Sequence, residues 1–357
     1  MHRRLHSFFG VLGAAVIAPL WAGCASGIPA PPPSLTESPN ARLRGAALSS
    51  GNAVIYIADS AQNLQGPRRV AEFDATANGD VSPLRVIEGR KTDLEGPSFV
   101  ALDGAGDLYV VNYNVLNNKV VPVIAVFAPG ASGDIAPIRK IWLSAKQSSP
   151  PRPFIAVSPT GYLYVANEAR EAIDIYAPNV NGTPAPVRSI SGPHTQINNL
   201  FAVNIGPKGE IIATGYINNR LNTPRVLVFP PDANGDVAPS RELRGLNTQL
   251  YGPGQCAVDA AGNLYLSDNR NTFGHILVFP PGANGDVAPI RDIYPEHPAF
   301  IDGIALHGSE IFASEVYFPN RRIDVYPSNA NGGTKPLRTI SGDETELLQF
   351  LGSIAVQ

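Results

Sequence analysis

One stretch of 18 residues, ILVFPPGANGDVAPIRDI at 276–293, occurs in six related copies and restricts the folds open to this chain. Every copy ends on a short β-prone run that begins with an arginine. Successive arginines are separated by about 50 residues, and such a period with β-type content is typical of a β-propeller or a related repeat array. The six arginines are Arg85, Arg139, Arg188, Arg241, Arg291 and Arg338.

A second recurring segment precedes each 18-residue stretch. Clear copies are FVALDGAGDLYVVNY at 99–113 and CAVDAAGNLYLSDN at 256–269. Each holds two β-prone runs around a Gly-containing turn, which is a hairpin signature. The 18-residue stretch supplies two further runs on either side of a turn marked by Pro and Asn-Gly. Four strands, called A to D here in chain order, make one propeller blade.

The two ends of the repeat array complement each other. The first repeat begins with a B strand at 54–59 that has no A strand before it, and Ile354-Ala355-Val356 is an A strand with nothing after it. Pairing these two strands would complete a blade and leave no open sheet edge. We therefore predict an all-β, six-bladed propeller over residues 47–357, closed by the C-terminal strand joining the N-terminal blade, and we expect a monomer.

The N-terminus predicts export and anchoring. A basic start precedes an apolar run from Phe8 to Trp21 that is too short to span a membrane, so residues 1–23 resemble a signal peptide. The run closes on LWAGC, which resembles the bacterial lipobox and makes Cys24 the lipidation site; ordinary cleavage beside an incidental cysteine is the alternative. Residues 24–46 form a flexible Pro/Ser-rich linker. We expect a cell-envelope protein, lipid-anchored to a bacterial membrane and facing the periplasm or exterior.

Composition narrows the functions further. The formal net charge is −3 and no Lys/Arg run occurs, which argues against nucleic acid as a partner. Cys24 and Cys256 have such different settings that they make a poor disulfide pair, and Cys256 is interpreted as a small buried residue. Metalloprotease, serine-hydrolase, P-loop and dinucleotide motifs are absent from the sequence. A binding module is therefore preferred to an enzyme.

The Asn-Gly-Asp turns of the repeat, such as Asn284-Gly285-Asp286, carry spaced oxygens that would suit calcium. However, no bidentate Glu follows them, and Thr183 and Gly333 replace the Asp in two copies. We interpret the motif as turn chemistry, with Asn and Gly at positive φ. The recurrent arginines are expected to bond carbonyls of the adjacent strand or blade.

The connections between strands differ in how much they vary. A–B and C–D turns are nearly uniform, whereas D–A and B–C connections, which share one end of a propeller, vary in length and chemistry. Variable loops on a rigid scaffold are where binding usually occurs. We predict a small ligand or protein partner at this rim; ordinary solvated loop residues are the alternative. The candidates are Tyr113, Arg152, His194, Asn198, Asn199, Tyr216, Tyr251, His297 and Tyr317.

The IAVD-like and GNLYVAD-like strand pairs resemble those of NHL-repeat and SMP-30/gluconolactonase-type six-bladed propellers over about residues 52–357. The resemblance is specific for fold, and this fold hosts both enzymes and binding modules.

The resemblance also implies an alternative function. SMP-30-type lactonases hold a divalent metal with a Glu, an Asn and an Asp from A-strand starts. Glu95-Gly96-Pro97 and Asp302-Gly303-Ile304 resemble two of those motifs, and Asn199 resembles the substrate-side Asn. Gly254-Gln255 stands where the metal-binding Asn is expected. The alternative is thus a calcium- or zinc-dependent hydrolase of lactones or related esters, with Glu95 and Asp302 as ligands.

Overall fold

The computed structural model describes residues 53–60, 68–116, 119–143, 153–216, 223–270, 273–317, 320–347 and 350–357. These residues form six sheets, each with four antiparallel strands. One sheet has in addition a two-residue strand that pairs in parallel. The predicted all-β six-bladed propeller is confirmed. The predicted signal peptide and linker, with Cys24, lie outside the described residues. Within the described ranges, no helix has the length and hydropathy needed to cross a bilayer.

The strands are β1 (Val54–Ser60), β2 (Arg68–Asp74), β3 (Arg85–Ile87), β4 (Phe99–Leu102), β5 (Leu108–Leu116), β6 (Lys119–Phe127), β7 (Arg139–Trp142), β8 (Phe154–Val157), β9 (Leu163–Asn167), β10 (Ala172–Tyr176), β11 (Arg188–Ser191), β12 (Leu200–Ile205), β13 (Ile211–Tyr216), β14 (Pro224–Phe229), β15 (Arg241–Leu243), β16 (Pro253–Val258), β17 (Leu264–Arg270), β18 (Phe273–Phe279), β19 (Arg291–Tyr294), β20 (Phe300–His307), β21 (Glu310–Tyr317), β22 (Asn320–Pro327), β23 (Gly332–Gly333), β24 (Arg338–Ile340) and β25 (Phe350–Val356). Short 3-10 helices occupy Arg90–Thr92, Glu168–Arg170, Pro193–Thr195, Leu246–Thr248 and Asp343–Thr345.

Blade 1 has the strand order β25-β1-β2-β3, so its innermost strand comes from the other end of the chain. Blades 2 to 5 are β4–β7, β8–β11, β12–β15 and β16–β19, and blade 6 is β20-β21-β22-β24. The first strand of each blade lies beside the first strands of its two neighbours. These six strands, β25, β4, β8, β12, β16 and β20, therefore form a closed inner ring.

The C-terminal strand closes this ring on both of its sides. On one side β25 pairs with β1 in antiparallel register, with Ile55 opposite Val356. On the other side the Ser353 amide donates to the Ser98 carbonyl at 3.1 Å, and the Val100 amide donates to Ser353 Oγ at 2.7 Å. The predicted closure by the C-terminal strand is thus confirmed.

The hydrophobic core lies between the blades. Each of the six blade interfaces in the described structure contains one cluster of buried apolar side chains. At the interface of blades 6 and 1, for example, Ile57 and Phe73 pack with Phe312. Cys256 belongs to the cluster between blades 4 and 5 and is buried and free of a disulfide. Burial raises the pKa of its thiol to about 12, so its interpretation as a small buried residue is confirmed.

The repeated C–D turn joins each blade to the one before it. In blade 5 the Gly285 amide donates to the Glu242 carbonyl at 2.7 Å, and the Arg244 amide donates back to the Gly285 carbonyl at 3.2 Å. Every blade repeats this parallel bridge, which covers the outer edge that each sheet would otherwise expose to other chains. The bridged pairs are Gly79 with Ile340, Gly133 with Ile87, Gly182 with Ile141, Gly235 with Ile190, Gly285 with Leu243 and Gly332 with Ile293.

The Asn and Asp of the turn reinforce that bridge. Asn284 Oδ1 accepts from the Glu242 amide at 3.0 Å, and Asp286 Oδ1 accepts from the Asn247 amide at 2.7 Å. The turn glycines have positive φ, as predicted. The same prediction for the asparagines is wrong, because their side chains turn towards the preceding blade. The turn interpretation thus holds, with capping of the neighbouring blade as its purpose.

The recurrent arginines mostly act as predicted. Arg188 donates to the Pro231 carbonyl at 2.7 Å and Arg338 to the Ala75 carbonyl at 2.8 Å, in each case across a blade junction. Arg85 instead binds the Glu72 carboxylate of its own blade at 2.5 Å. Arg338 makes both kinds of bond, since it also pairs with the Glu310 carboxylate at 2.7 Å. A bond to a carboxylate is charge-assisted and stronger than one to a carbonyl.

A buried acidic group lies in blade 6. Glu315 and Asp324 are both buried, and Glu315 accepts from the Tyr326 hydroxyl at 2.6 Å and from Arg322 at 3.0 Å. Burial, with the Asp324 charge added, raises the pKa of Glu315 from 4.5 to about 7. The folded protein thus holds this proton to a higher pH than the unfolded chain does.

Glu315→Gln should remove part of the pH dependence of stability. Since the folded-state pKa is raised, stability is highest below the unfolded pKa of 4.5 and falls as pH rises to about 7. The loss is at most about 3.5 kcal/mol, at about 1.4 kcal/mol per pKa unit. Urea unfolding at pH 5 and pH 8 should show this fall in the parent and not in Glu315→Gln. In the control, Glu310→Gln, the removed carboxyl has a pKa lowered by Arg338, so the fall should persist. An unchanged fall in Glu315→Gln would contradict the assignment.

Candidate functional site

The D–A and B–C connections meet at one end of the propeller, because successive strands of each blade are antiparallel. We call this end the rim. The A–B turns lie at the opposite end, where the C–D connections begin before running along the outer strand of the preceding blade. The residues predicted to bind a ligand come from the rim connections and the strand ends next to them.

A row of aromatic rings crosses the rim from blade 2 to blade 4. The ring centroids of Phe99 and Phe154 are 4.2 Å apart, and those of Phe154 and Phe201 are 6.1 Å apart. Phe201 then meets Tyr216 edge-on at 5.3 Å. Phe99 and Tyr216 are buried, while Phe201 is 40% exposed. Phe201 reaches the surface because it lies in a bulge of β12, where the pairing with β13 shifts register.

Tyr251 continues this row towards blade 5. Its side chain is 51% exposed, and its amide donates to Asp268 Oδ2 at 2.8 Å. Burial raises the pKa of Tyr216, and the neighbouring Asp268 and Tyr251 raise it further. A Cβ built at Gly252, the residue after Tyr251, would lie 3.5 Å from the Tyr216 hydroxyl, so the two segments are neighbours.

Two further exposed rings lie where blade 5 meets blade 6. Asn269 links them to Tyr251: its amide donates to the Gly252 carbonyl at 3.1 Å, and its side chain bonds both backbone groups of Ile301 at 2.9 and 3.0 Å. Phe300 is 39% exposed and Phe273 is 48% exposed. We call the whole set the aromatic belt: Phe99, Phe154, Phe201, Tyr216, Tyr251, Phe273 and Phe300.

Buried polar side chains at the ends of B strands hold the rim connections in place. Asn112 Oδ1 accepts from the amides of Glu95 and Gly96, both at 2.8 Å. Asp268 does the same for Tyr251 in blade 5. Burial raises the pKa of Asp268, and its bonds to backbone amides and to Arg270 oppose that rise. The described rim connections that lead into β4 and β16 are therefore braced by these side chains.

The other half of the rim, on blades 6, 1 and 2, carries paired charges. Arg69 contacts Asp59 at 3.2 Å, and both side chains are buried. Further pairs join Arg68 with Glu95, Arg69 with Glu346 and Lys140 with Asp93. The described part of the rim thus carries these paired charges as well as the aromatic belt.

The residues predicted to bind a ligand lie in several parts of the rim. Tyr216 and Tyr251 belong to the aromatic belt, and Asn198 and Asn199 precede β12 beside it. Tyr113 lies half-buried near Gly96 in blade 2, and His297 is exposed before β20. Tyr317 is the last residue of β21, and Arg152 lies outside the described residues.

His194 does not join the belt. Its Nδ1 lies 2.6 Å from Asp236 Oδ2, and its amide donates to Asp236 Oδ1 at 2.7 Å. Asp236 belongs to the C–D turn that bridges blade 4 to the outermost strand of blade 3. His194 therefore lies near the outer edge of the propeller.

The residues proposed to hold a metal have other partners. Glu95 pairs with Arg68 and is half exposed. Asp302 lies in the bulge of β20 near Arg321, whose pKa is lowered by burial and raised by Asp302. Among the described residues, no three His, Cys, Asp or Glu side chains are grouped to hold a metal ion.

Gln255, which stands where the third ligand is expected, accepts from the Ile304 amide at 3.0 Å. A divalent ion needs several oxygens with net negative charge, whereas both carboxylates here face an arginine. Glu95, Asp302 and Gln255 therefore do not fit a divalent metal ion as they are described. Metal binding by this chain stays a prediction.

Sequence reasoning missed Phe99, Phe154, Phe201 and Phe300 as site residues. Each lies at or next to the first residue of an A strand, where the sequence favours core packing. The sequence did contain a signal for these residues. When the A-strand starts are aligned, some blades carry Phe there and others carry Gly or Cys, which is not expected of a uniform core position.

A shallow groove of about 550 Å³ lies at the opposite end, between the turns of blades 4 and 5. Pro230, Pro231 and Pro281 line it together with Lys208 and Arg241. Ser240 also lines it, at a position where the other blades carry an exposed aliphatic residue. Those residues are Leu84, Ile138, Val187, Ile290 and Leu337.

Comparison with known proteins supports the fold. No protein-family model matches the sequence, and no curated protein matches it. A protein of unknown function from Bacteroides caccae is similar with a TM-score of 0.52 and 12% identity, over 86% of this chain and 99% of that one. A candidate 6-phosphogluconolactonase from Bacteroides uniformis is similar with a TM-score of 0.52 and 15% identity, over 81% of this chain and 83% of that one. At these identities the likeness is one of fold alone.

Proposed function

We propose that this protein is an extracytoplasmic binding propeller, anchored to a bacterial membrane through Cys24, that takes a small ligand or protein partner at the aromatic belt. The exposed rings of Phe201, Tyr251, Phe273 and Phe300 carry this proposal. Several exposed aromatic side chains on one braced surface are unfavourable in water and are typical of a binding site. The closed ring of blades supplies the rigidity that such a site needs.

Binding is preferred to hydrolysis for a physical reason. The carboxylates that a lactonase-type reaction would use, Glu95 and Asp302, each lie beside an arginine. Asp268, a carboxylate beside the belt, is buried and occupied by the Tyr251 amide and Arg270. A group held in this way positions the rim and is not free to activate water.

A photo-crosslinking amino acid placed at position 251 should capture the bound molecule in living cells. Tyr251 is half exposed at the centre of the belt, so a ligand or partner there lies within reach of the probe. The measurement is the mass of the captured adduct, and adding Phe201→Ala should abolish it. Cys24→Ser should release the protein from the membrane fraction and leave the belt unchanged.

The matched control places the same amino acid at position 84, which is 57% exposed at the opposite end. Equal labelling at both positions, or none at 251, would overturn binding at the belt. About one divalent ion per purified chain, lost in Asp302→Asn, would instead favour the metal-dependent hydrolase.

A further inference from the structure

The belt presents flat apolar faces that are fixed in advance. Phe201 rests edge-on against the buried Tyr216 ring at 5.3 Å and lies beside Phe154 at 6.1 Å. A ring held on two sides loses little freedom when a ligand packs on its open face, so its contact area contributes fully to affinity. Tyr251 and Phe300 extend the surface across blades 5 and 6. A ligand that uses the whole belt must therefore be long and must offer several flat faces.

The polar groups beside these rings are amides. The side chains of Asn198, Asn199 and Gln249 make no hydrogen bonds within the described part of the chain. The nearby amide of Gln196 accepts from Arg225 at 3.4 Å. Each amide offers both donors and acceptors to a ligand. The set therefore suits hydroxyl groups, which also donate and accept.

The charged side chains beside Tyr251 are already bonded to each other. Asp268 and Arg270 are 3.3 Å apart, and Asp268 is buried. In blade 3 the described rim carries the exposed carboxylates of Glu168 and Glu171, which would repel an anion. An anionic ligand would therefore lose hydration at the belt without gaining a counter-charge.

We propose that the belt binds a neutral oligosaccharide, with sugar rings packed on Phe201, Tyr251 and Phe300 and hydroxyls bonded to the neighbouring amides. This inference rests on the proposed binding function and names its ligand class. A pyranose ring has an apolar C–H face and an equatorial rim of hydroxyls, which matches flat rings flanked by amides. The row of rings across three blades accommodates several sugar units.

Isothermal titration calorimetry tests the inference on the chain from residue 24 with Cys24→Ser. The probes are hexaoses of β-1,4-linked glucose, mannose and xylose, an oligogalacturonate as the acidic comparator, and a proline-rich peptide. We expect one neutral hexaose to bind, with affinity unchanged in about 0.5 M salt because no charge is involved. Phe201→Ala and Tyr251→Ala should each weaken binding about three- to tenfold.

Two further variants guard against effects on folding. Phe201→Leu keeps an apolar side chain but removes the flat ring, and should weaken binding as Phe201→Ala does. Leu84→Ala changes an exposed residue far from the rim and should leave affinity unchanged. Preferential binding of oligogalacturonate, or affinity insensitive to Phe201, would overturn the saccharide assignment. Binding of the peptide alone, with crosslinking at position 251 retained, would overturn it while leaving the proposed function intact.

Discussion

A chain truncated after Leu347 is expected not to fold, because it lacks the innermost strand of blade 1. β25 supplies that strand, and its Ser353 and Ile354 are buried. Truncation would uncover Ile57, leave one edge of β1 without its partner strand, and remove the contact with β4. The cost exceeds the total stability of an ordinary domain, about 5–15 kcal/mol. Circular dichroism and soluble yield of the truncated chain measure the outcome.

A circular permutant tests whether truncation fails because β25 no longer closes the ring, and not simply because the chain is shorter. The Val54 amide donates to the Gln357 carbonyl at 3.0 Å, and the Gln357 amide donates back at 3.1 Å. A short Gly-containing turn between residue 357 and residue 53 would therefore make an ordinary A–B hairpin. A chain in which residues 348–357 precede residue 53 should fold, with a melting temperature within about 5 °C of the parent. An unfolded permutant, or a folded truncated chain, would contradict closure by β25.

The fold was predictable because a repeat reports its architecture many times over. Six copies of one pattern fixed the blade, and the unmatched strands at 54–59 and 354–356 indicated how the circle closes. Even the structural use of the arginines followed, since Arg188 and Arg338 bond carbonyls across blade junctions. These features depend on local pattern, which the sequence contains in full.

The site was less predictable because it depends on contacts between distant segments. Phe99 and Phe201 both accompany A-strand starts, yet Phe99 is buried and Phe201 is 40% exposed. The difference comes from the bulge in β12, which no residue pattern marks. His194 is drawn to Asp236 of the next blade, and Glu95 to Arg68. Such pairings are visible only once the blades are placed side by side.

The blade junctions differ in one respect that bears on stability. At four junctions an Asp of the C–D turn caps the 3-10 helix that follows the D strand of the preceding blade. Thr183 and Gly333 replace that Asp at the other two. The capped junctions require glycine before the helix. The four Gly–Asp pairs are Gly89 with Asp134, Gly192 with Asp236, Gly245 with Asp286 and Gly342 with Asp80.

Gly245→Ala is therefore expected to destabilise the protein by about 3–5 kcal/mol, for two reasons that add. Gly245 has φ 126° and ψ 174°, a conformation that is almost confined to glycine. A Cβ at this position would also collide with the Asp286 carboxyl group. Moving Asp286 aside would break its 2.7 Å bond from the Asn247 amide. Urea unfolding monitored by circular dichroism measures the loss.

Gly282→Ala separates steric collision from backbone strain. Gly282 also has positive φ, at 76°, but a Cβ there would meet nothing within 4 Å. It should cost only about 1–2 kcal/mol, the usual penalty of a left-handed residue. The double variant Gly245→Ala/Asp286→Ala should lose less unfolding free energy than the two single variants lose together. The reason is that Asp286→Ala removes the carboxyl group with which the new Cβ would collide. Equal losses for the two glycine variants, or strict additivity of the pair, would mean that the junction does not depend on this Gly–Asp contact.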